Sequence, residues 1–261
     1  MDPRTTWELP APGAMPRTAE LEPLVTRVLA PNPSGMTLDG TNTYLVGAPG
    51  GGQAVVVDPG PADPAHLASV EAALPWAGHF GVRIGAGDPG VAGPGGRALA
   101  AGERLTLAGT TLGVVATPGH TADHLAFRLE SGAVLVGDHV LGRGTSVVTH
   151  PEGDVVAYLE SLRRVHDLGP SALYCGHGPE LTVDPGAVLA YYAAHRAHRE
   201  QQLLDALGAG PRTVEELVAT VYAAVPRPLW PAAAQSTRAT LAKLTAEGRV
   251  RPGAGETVGL A

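Results

Sequence analysis

TPGHTADHLAFRLESGAVLVGDHV, residues 117–140, carries the pattern that decides the fold. Apolar residues alternate through it and break at tight glycine turns, which predicts neighbouring strands of a meander. Two of the breaks hold side chains that suit divalent metals, His120 in TPGHT and Asp138 in GDH. A third lies downstream, where SALYCGHGPE (171–180) predicts a short strand ending at His177. Imidazole nitrogen and carboxylate oxygen suit zinc and related ions. Gly-flanked loops at strand ends let such groups converge without backbone strain. One histidine after a strand is usually a satisfied polar residue. Three such positions, each beside glycine and each after an apolar strand, point to a site.

Working outward, LVTRVLAPNPSGMTLDGTNTYLVG (24–47) predicts strand, Pro/Gly loop, strand. QAVVVDPG (53–60) predicts a buried strand that stops at a turn, with Asp58 at its end. Asp63 and Pro64 open a helix running to residue 74. Residues 75–101 are Gly-rich, with one strand candidate from Gly81 to Ile84. GDVVAYLESLRRVHDL (153–168) has helical spacing, with Val156, Leu159, Leu162 and Val165 on one side. Beyond Pro185 the text changes: helices are expected at 186–208, 212–224 and 232–247, then a hairpin at 249–259. The expected organisation is a loose leader at 1–22, a main domain at 23–185 and a small helical domain at 186–261.

The 261 residues are 44% hydrophobic and 16% charged, which excludes a disordered chain. Cys175 is the single cysteine, so no disulfide framework or Cys-rich zinc module is available. The net charge of −7 argues against bulk attraction to nucleic acid or an acidic membrane. From 186 onward eight Lys/Arg face six Asp/Glu, far from a basic patch, and packing or dimerisation is the expected role of that tail. No run of about 18 apolar residues is present, and the first residues lack the core of a signal peptide, so the expectation is a cytoplasmic protein without membrane contact.

Taken together, PNPSGMTLDGTNTYLVG, VVVDPGP, TPGHTADHL, GDHVLGRG, YLESL, GHGPE and HRAHREQQLL resemble the metallo-β-lactamase superfamily, in its β-lactamase-like protein 2 group. TVEELVATVY and LAKLTAEGRV resemble that group's C-terminal winged-helix-like domain. The resemblance implies an α/β fold, an αββα sandwich with its metal site at the strand ends. It implies that His120 binds one zinc, His177 the other, that Asp138 bridges them and that Asp58 lies beneath the site as a supporting group. It implies hydrolysis by metal-activated water, of a small ester, thioester or lactone-like substrate, or of RNA.

One departure stands out. The family's His-x-His-x-Asp-His element is absent: no two of the ten histidines stand two apart. Asp-His occurs only at Asp123/His124 and Asp138/His139. After Leu74 the text passes to GHFGVRIGAGDPGVAGPGG, which resembles family material downstream of that element. The apparent gap is one inner strand, its ligand loop and much of a helix, roughly 20–30 residues by ordinary element lengths. Three of the six or seven groups that normally share two zinc ions remain, so one or two ions, weak binding or none are all open. His79 and Asp88 read as solvated loop residues, Cys175 as a small buried hydrophobe, and Asp123 and His124 as packing or orienting groups. His195, Arg196, Arg199 and Glu200 form a polar helix face, expected as surface or domain seam. The expected function is a hydrolase with a reduced or impaired metal site. The alternatives are a pseudoenzyme that keeps the fold and a nucleic-acid-binding or ribonuclease-like protein. A homo-oligomer is left open.

Overall fold

A computed structural model of the chain describes residues 1–47, 54–74, 98–106 and 109–261, and the backbone of 81–84 and 107. Strands β1 (Thr18–Glu22), β2 (Val25–Leu29), β3 (Asn42–Val46), β4 (Ala54–Val57) and β5 (Gly81–Ile84) form one sheet in that order. The first four pair antiparallel; β5 runs parallel to β4, with Val55 opposite Val82 and Val57 opposite Ile84. A parallel step needs a crossover, and helix α1 (Pro64–Ala72) lies in that connection. The Asp63 side chain accepts from the His66 amide and Pro64 takes the first turn, as the sequence pattern predicts.

The second sheet has the order β10 (Leu173–Cys175), β9 (Val134–Gly137), β8 (Leu125–Arg128), β7 (Thr110–Ala116), β6 (Arg104–Leu107). Its two faces do different work because side chains alternate along each strand. Leu112, Val114, Phe127, Leu135 and Tyr174 pack against Val25, Tyr44, Val46, Val55 and Val57 of the first sheet. Ala126, Val134, Val136, Leu173 and Cys175 face the other way, onto helices α2 (Val155–Asp167) and α3 (Pro185–Leu207). Both faces are therefore buried, which is why β9 and β10 read as unbroken apolar runs. Each fully buried Leu or Val here stabilises the sandwich by about 1.5–3 kcal/mol relative to exposure. The result is the αββα sandwich.

Helices α4 (Val214–Val221) and α5 (Trp230–Ala246) and the hairpin β11 (Val250–Pro252) and β12 (Val258–Leu260) close a third core around Leu203, Leu217, Leu241, Leu244 and Val250. Thr213 and Glu216 form a reciprocal capping box at the start of α4.

Several expectations need correction. Residues 1–22 are not a loose leader. β1 pairs with β2, and Arg4, in a 3-10 turn at Pro3–Thr6, is 5% exposed and donates to the Leu141 and Gly144 carbonyls. The buried stripe of α2 is Val155, Tyr158, Ser161, Leu162 and Val165, whereas Val156 is 45% exposed. The border expected at 185/186 falls in the first turn of α3. Val188, Leu189 and Tyr192 of this helix belong to the core beside the second sheet, and Leu203 and Leu207 to the C-terminal core. His79 and Asp88 lie outside the described residues. Among the described residues no helix is long and apolar enough to cross a membrane.

Candidate functional site

Four loops at strand ends meet around a cavity of about 320 Å³. Asp58 follows β4 with φ +50, a left-handed conformation that Asp tolerates better than most residues. The Thr43 hydroxyl donates to its carbonyl at 2.7 Å. His120 follows β7 in a loop pressed onto α2. A Cβ on Gly119 (φ +139) would stand 2.3 Å from the Tyr158 Cα, so only glycine allows this approach. Asp154, the N-cap of α2, donates its amide to the Gly119 carbonyl at 3.0 Å. Asp138 follows β9, and a Cβ on Gly176 would lie 2.7 Å from its Oδ1. His177 follows β10, where Asn42 acts as a clamp. Its Nδ2 donates to the Cys175 and Gly178 carbonyls at 2.9 and 2.8 Å, and its amide to the Gly176 carbonyl at 2.8 Å.

His120, Asp138 and His177 thus come together, with Asp58 lining the same cavity. His120 Nε2 is 3.8 Å from Asp138 Oδ2, and His177 Nε2 is 3.3 Å from Oδ1. The two rings sit on different oxygens of one carboxylate. Their other nitrogens face backbone carbonyls, His120 Nδ1 at 2.7 Å from Val147 and His177 Nδ1 at 3.1 Å from Gly40. A carbonyl only accepts, so Nδ1 is assigned the proton and the neutral ring turns its Nε2 lone pair to Asp138. Carbonyl anchoring of this kind orients the histidines of metal sites.

The charges respond accordingly. Burial alone would raise Asp138, but the His177 side chain, with the further charges of His120 and His124, outweighs it and holds the carboxyl below its usual range. Burial would lower His177, yet Asp138 prevails and the imidazole is raised. Asp138 Oδ1 is buried without a hydrogen-bond partner while His177 is neutral; a proton on Nε2, 3.3 Å away, would turn the contact into an ion pair. Burial, reinforced by the Asp138 charge, pushes Asp58 up to about 7. A lone pair facing a carboxylate on each side calls for a cation between them, either a proton or a metal.

The fit to a metal is in donor type and ring orientation, and not in number. The three donors surround Asp138 without enclosing one point. Among the described residues no group of three or more His, Cys, Asp or Glu side chains could hold a metal ion as placed. A pair of ions would find two protein donors each, with Asp138 shared, so these residues fall short of a two-ion centre. Cys175 does not contribute. It is fully buried in the core beside α2, and burial raises its thiol far above the usual range.

His124 is nearer the site than its sequence position suggested. It lines the cavity, its Nδ1 is 2.7 Å from the Thr117 hydroxyl, and its ring lies edge-on to His120 at 6.2 Å. Burial, then the His120 charge, pushes it down to about 4. His139 stands behind it, fully buried and 4.7 Å from the Tyr158 ring. The TPGHT-ADH spacing, with Thr117 and His124 flanking the loop, was the signal for His124.

Comparison with known proteins agrees with this architecture. Residues 213–256 match the beta-lactamase associated winged helix domain. A beta-lactamase-like protein 2 homolog of Drosophila melanogaster is 32% identical over 91% of this chain and 93% of its own. That alignment spans 278 positions, more than the 261 residues here, so it contains positions at which the relative has a residue and this chain has none. An atrochrysone carboxyl ACP thioesterase of Aspergillus chevalieri is 34% identical over 81% of this chain and 77% of its own. Among solved structures, a beta-lactamase domain protein from Burkholderia ambifaria superposes with TM-score 0.79 at 20% identity, covering 98% of this chain and 96% of its own. A metallo-beta-lactamase family protein from Thermus thermophilus gives 0.77 at 24%, covering 93% and 100%.

Proposed function

The chain belongs to the metallo-β-lactamase superfamily, in its β-lactamase-like protein 2 group, and from this premise we propose that it is a hydrolase with a reduced metal site. Its substrate is a small ester, thioester or lactone-like molecule, bound in the cavity at His120, Asp138 and His177. The observation that carries the reading is the approach of both imidazoles to the two oxygens of Asp138, each ring held by a backbone carbonyl. His120, Asp138 and His177 would hold zinc or a related ion, which when bound would supply a water of lowered pKa and polarise the scissile carbonyl. The protein's own groups orient and enclose. Val147 and Gly40 fix the imidazole tautomers, and Asn42 fixes the turn that carries His177. Leu125 and Phe127 offer an apolar wall to the body of a substrate. The thioesterase name of the Aspergillus relative supports the acyl class of substrate.

Metal per chain, measured after purification and again after zinc addition, tests this reading. About one ion per chain is expected; a figure near zero that zinc does not raise defeats it. A second reading, a pseudoenzyme that keeps the fold, is favoured by the missing His-x-His-x-Asp-His element and the incomplete donor set. Zinc-dependent turnover of a simple thioester, abolished by Asp138→Ala, would remove that reading. The nucleic-acid reading has less support, because Arg249, at the start of the C-terminal hairpin, is engaged by Glu200 at 2.7 Å.

A further inference from the structure

A second cavity, of about 360 Å³, lies at the seam where α3, α5 and the 141–147 and 31–41 loops meet. It shares no lining residue with the first. Leu38, Val225 and Leu229 give it apolar walls, and among the described residues no carboxylate lines it. Into it α3 brings His195, Arg196 and Arg199.

The two arginines are unusual in what they lack. Arg196 is 7% exposed; it donates to the Ser146 carbonyl and lies 5.1 Å over the Tyr158 ring, and its Nε is buried with no partner. Arg199 donates to the Val221 carbonyl at 2.7 Å and to Gln202 at 2.9 Å, and lies 4.6 Å over the Tyr222 ring. Its Nε is also buried and unpartnered. The nearest acid on the helix, Glu200, is taken by Lys243 and Arg249, and Asp39 is taken by Arg143 at the rim. His195 adds no charge at neutral pH, because burial and then Arg196 push it down to about 4. Arg196 is buried and Arg199 half-buried, each with its Nε unpartnered and neither with a carboxylate, and such charge is costly to bury unless an anion completes it.

We propose that this seam cavity binds a small organic anion, its carboxylate or phosphate head on Arg196 and Arg199 and its apolar body against Leu38, Val225 and Leu229. The site is separate from the proposed hydrolytic one. Val147, whose carbonyl faces His120 Nδ1, also lines this cavity. Titration calorimetry of the full chain with octanoate, octyl phosphate and octan-1-ol tests it. At least one anionic probe should bind one per chain, tenfold or more tighter than the alcohol, and the tighter of the two identifies the head group. Arg199→Gln should weaken that binding at least tenfold, and Asp138→Ala should leave it unchanged. If Arg199→Gln does not fold, Ala232→Phe, which fills the cavity from its wall, should have the same effect. Equal binding of octan-1-ol, no saturable binding by either anion, or loss of binding in Asp138→Ala overturns the proposal. Absence of zinc-dependent turnover would leave this result standing.

Discussion

Replacing Asn42 by alanine should damage the fold and the candidate site together. Asn42 is fully buried, and its Nδ2 satisfies two carbonyls, those of Cys175 and Gly178, that flank His177. Removing the amide deletes two hydrogen bonds; the Cys175 carbonyl keeps the Tyr44 hydroxyl at 2.6 Å, but the Gly178 carbonyl loses its Asn42 donor, a loss of roughly 2–4 kcal/mol in all. For a chain of this length, that corresponds to a fall in Tm of roughly 5–12 °C. Scanning calorimetry of the wild type, Asn42→Ala and Asn42→Asp should show the loss in both variants, because aspartate keeps the volume and has no N–H to donate. Zinc per chain should fall as well, since the turn bearing His177 is freed. A Tm within about 1 °C of wild type for Asn42→Ala would show that the carbonyls find other donors, and the clamp argument would be wrong.

Gly119→Ala should cost about 3 kcal/mol, because the new methyl meets the Tyr158 backbone, which has no rotamer by which to withdraw. Urea denaturation measures this, and a midpoint unchanged from wild type would contradict the contact. Stability should also fall with acid. His195 titrates near 6.5 when unfolded and near 4 when folded, and His124 is depressed to a similar value. Between those limits the unfolded chain binds protons that the folded chain does not. Their contribution is therefore complete above about 6.5 and is lost as pH drops toward 4. His195→Gln should flatten part of this slope between pH 7 and 5; an identical slope in the variant would assign the effect elsewhere.

The parts of this fold that could be read from the text are those with local causes. Asp63-Pro64 starts α1 through a side-chain cap and a fixed φ, both written within four residues. His120, Asp138 and His177 could be picked out because each ends an apolar strand beside a glycine that the geometry requires. The short strand at 81–84 was legible too, and its parallel pairing with β4 extends the first sheet past the point where the family pattern breaks. Long-range causes were not legible. Arg4 is held by carbonyls 137 and 140 residues away, so a segment rich in Pro and charge looks loose until its partners are known. The buried face of α2 differs from its apolar spacing because Tyr158 and Ser161 face inward, where the Tyr158 hydroxyl reaches the His139 carbonyl and the Ser161 hydroxyl that of Pro118. His124 reads as a packing or orienting group from the text alone; it lines the cavity wall with its Nδ1 against the Thr117 hydroxyl.

Helix α3 has 23 residues and is roughly 34 Å long at 1.5 Å per residue. One end is anchored among the residues that cover the second sheet and the other among those of the C-terminal hairpin and helices. It works as a ridgepole shared by two roofs. No cut along it yields two intact halves: severing it at 186 strips Tyr192 from one interior, and severing it at 208 strips Leu203 from the other. The winged-helix portion is accordingly not a detachable accessory, and a recombinant fragment beginning at 213 should expose the apolar side that α3 ordinarily roofs over and clump rather than fold.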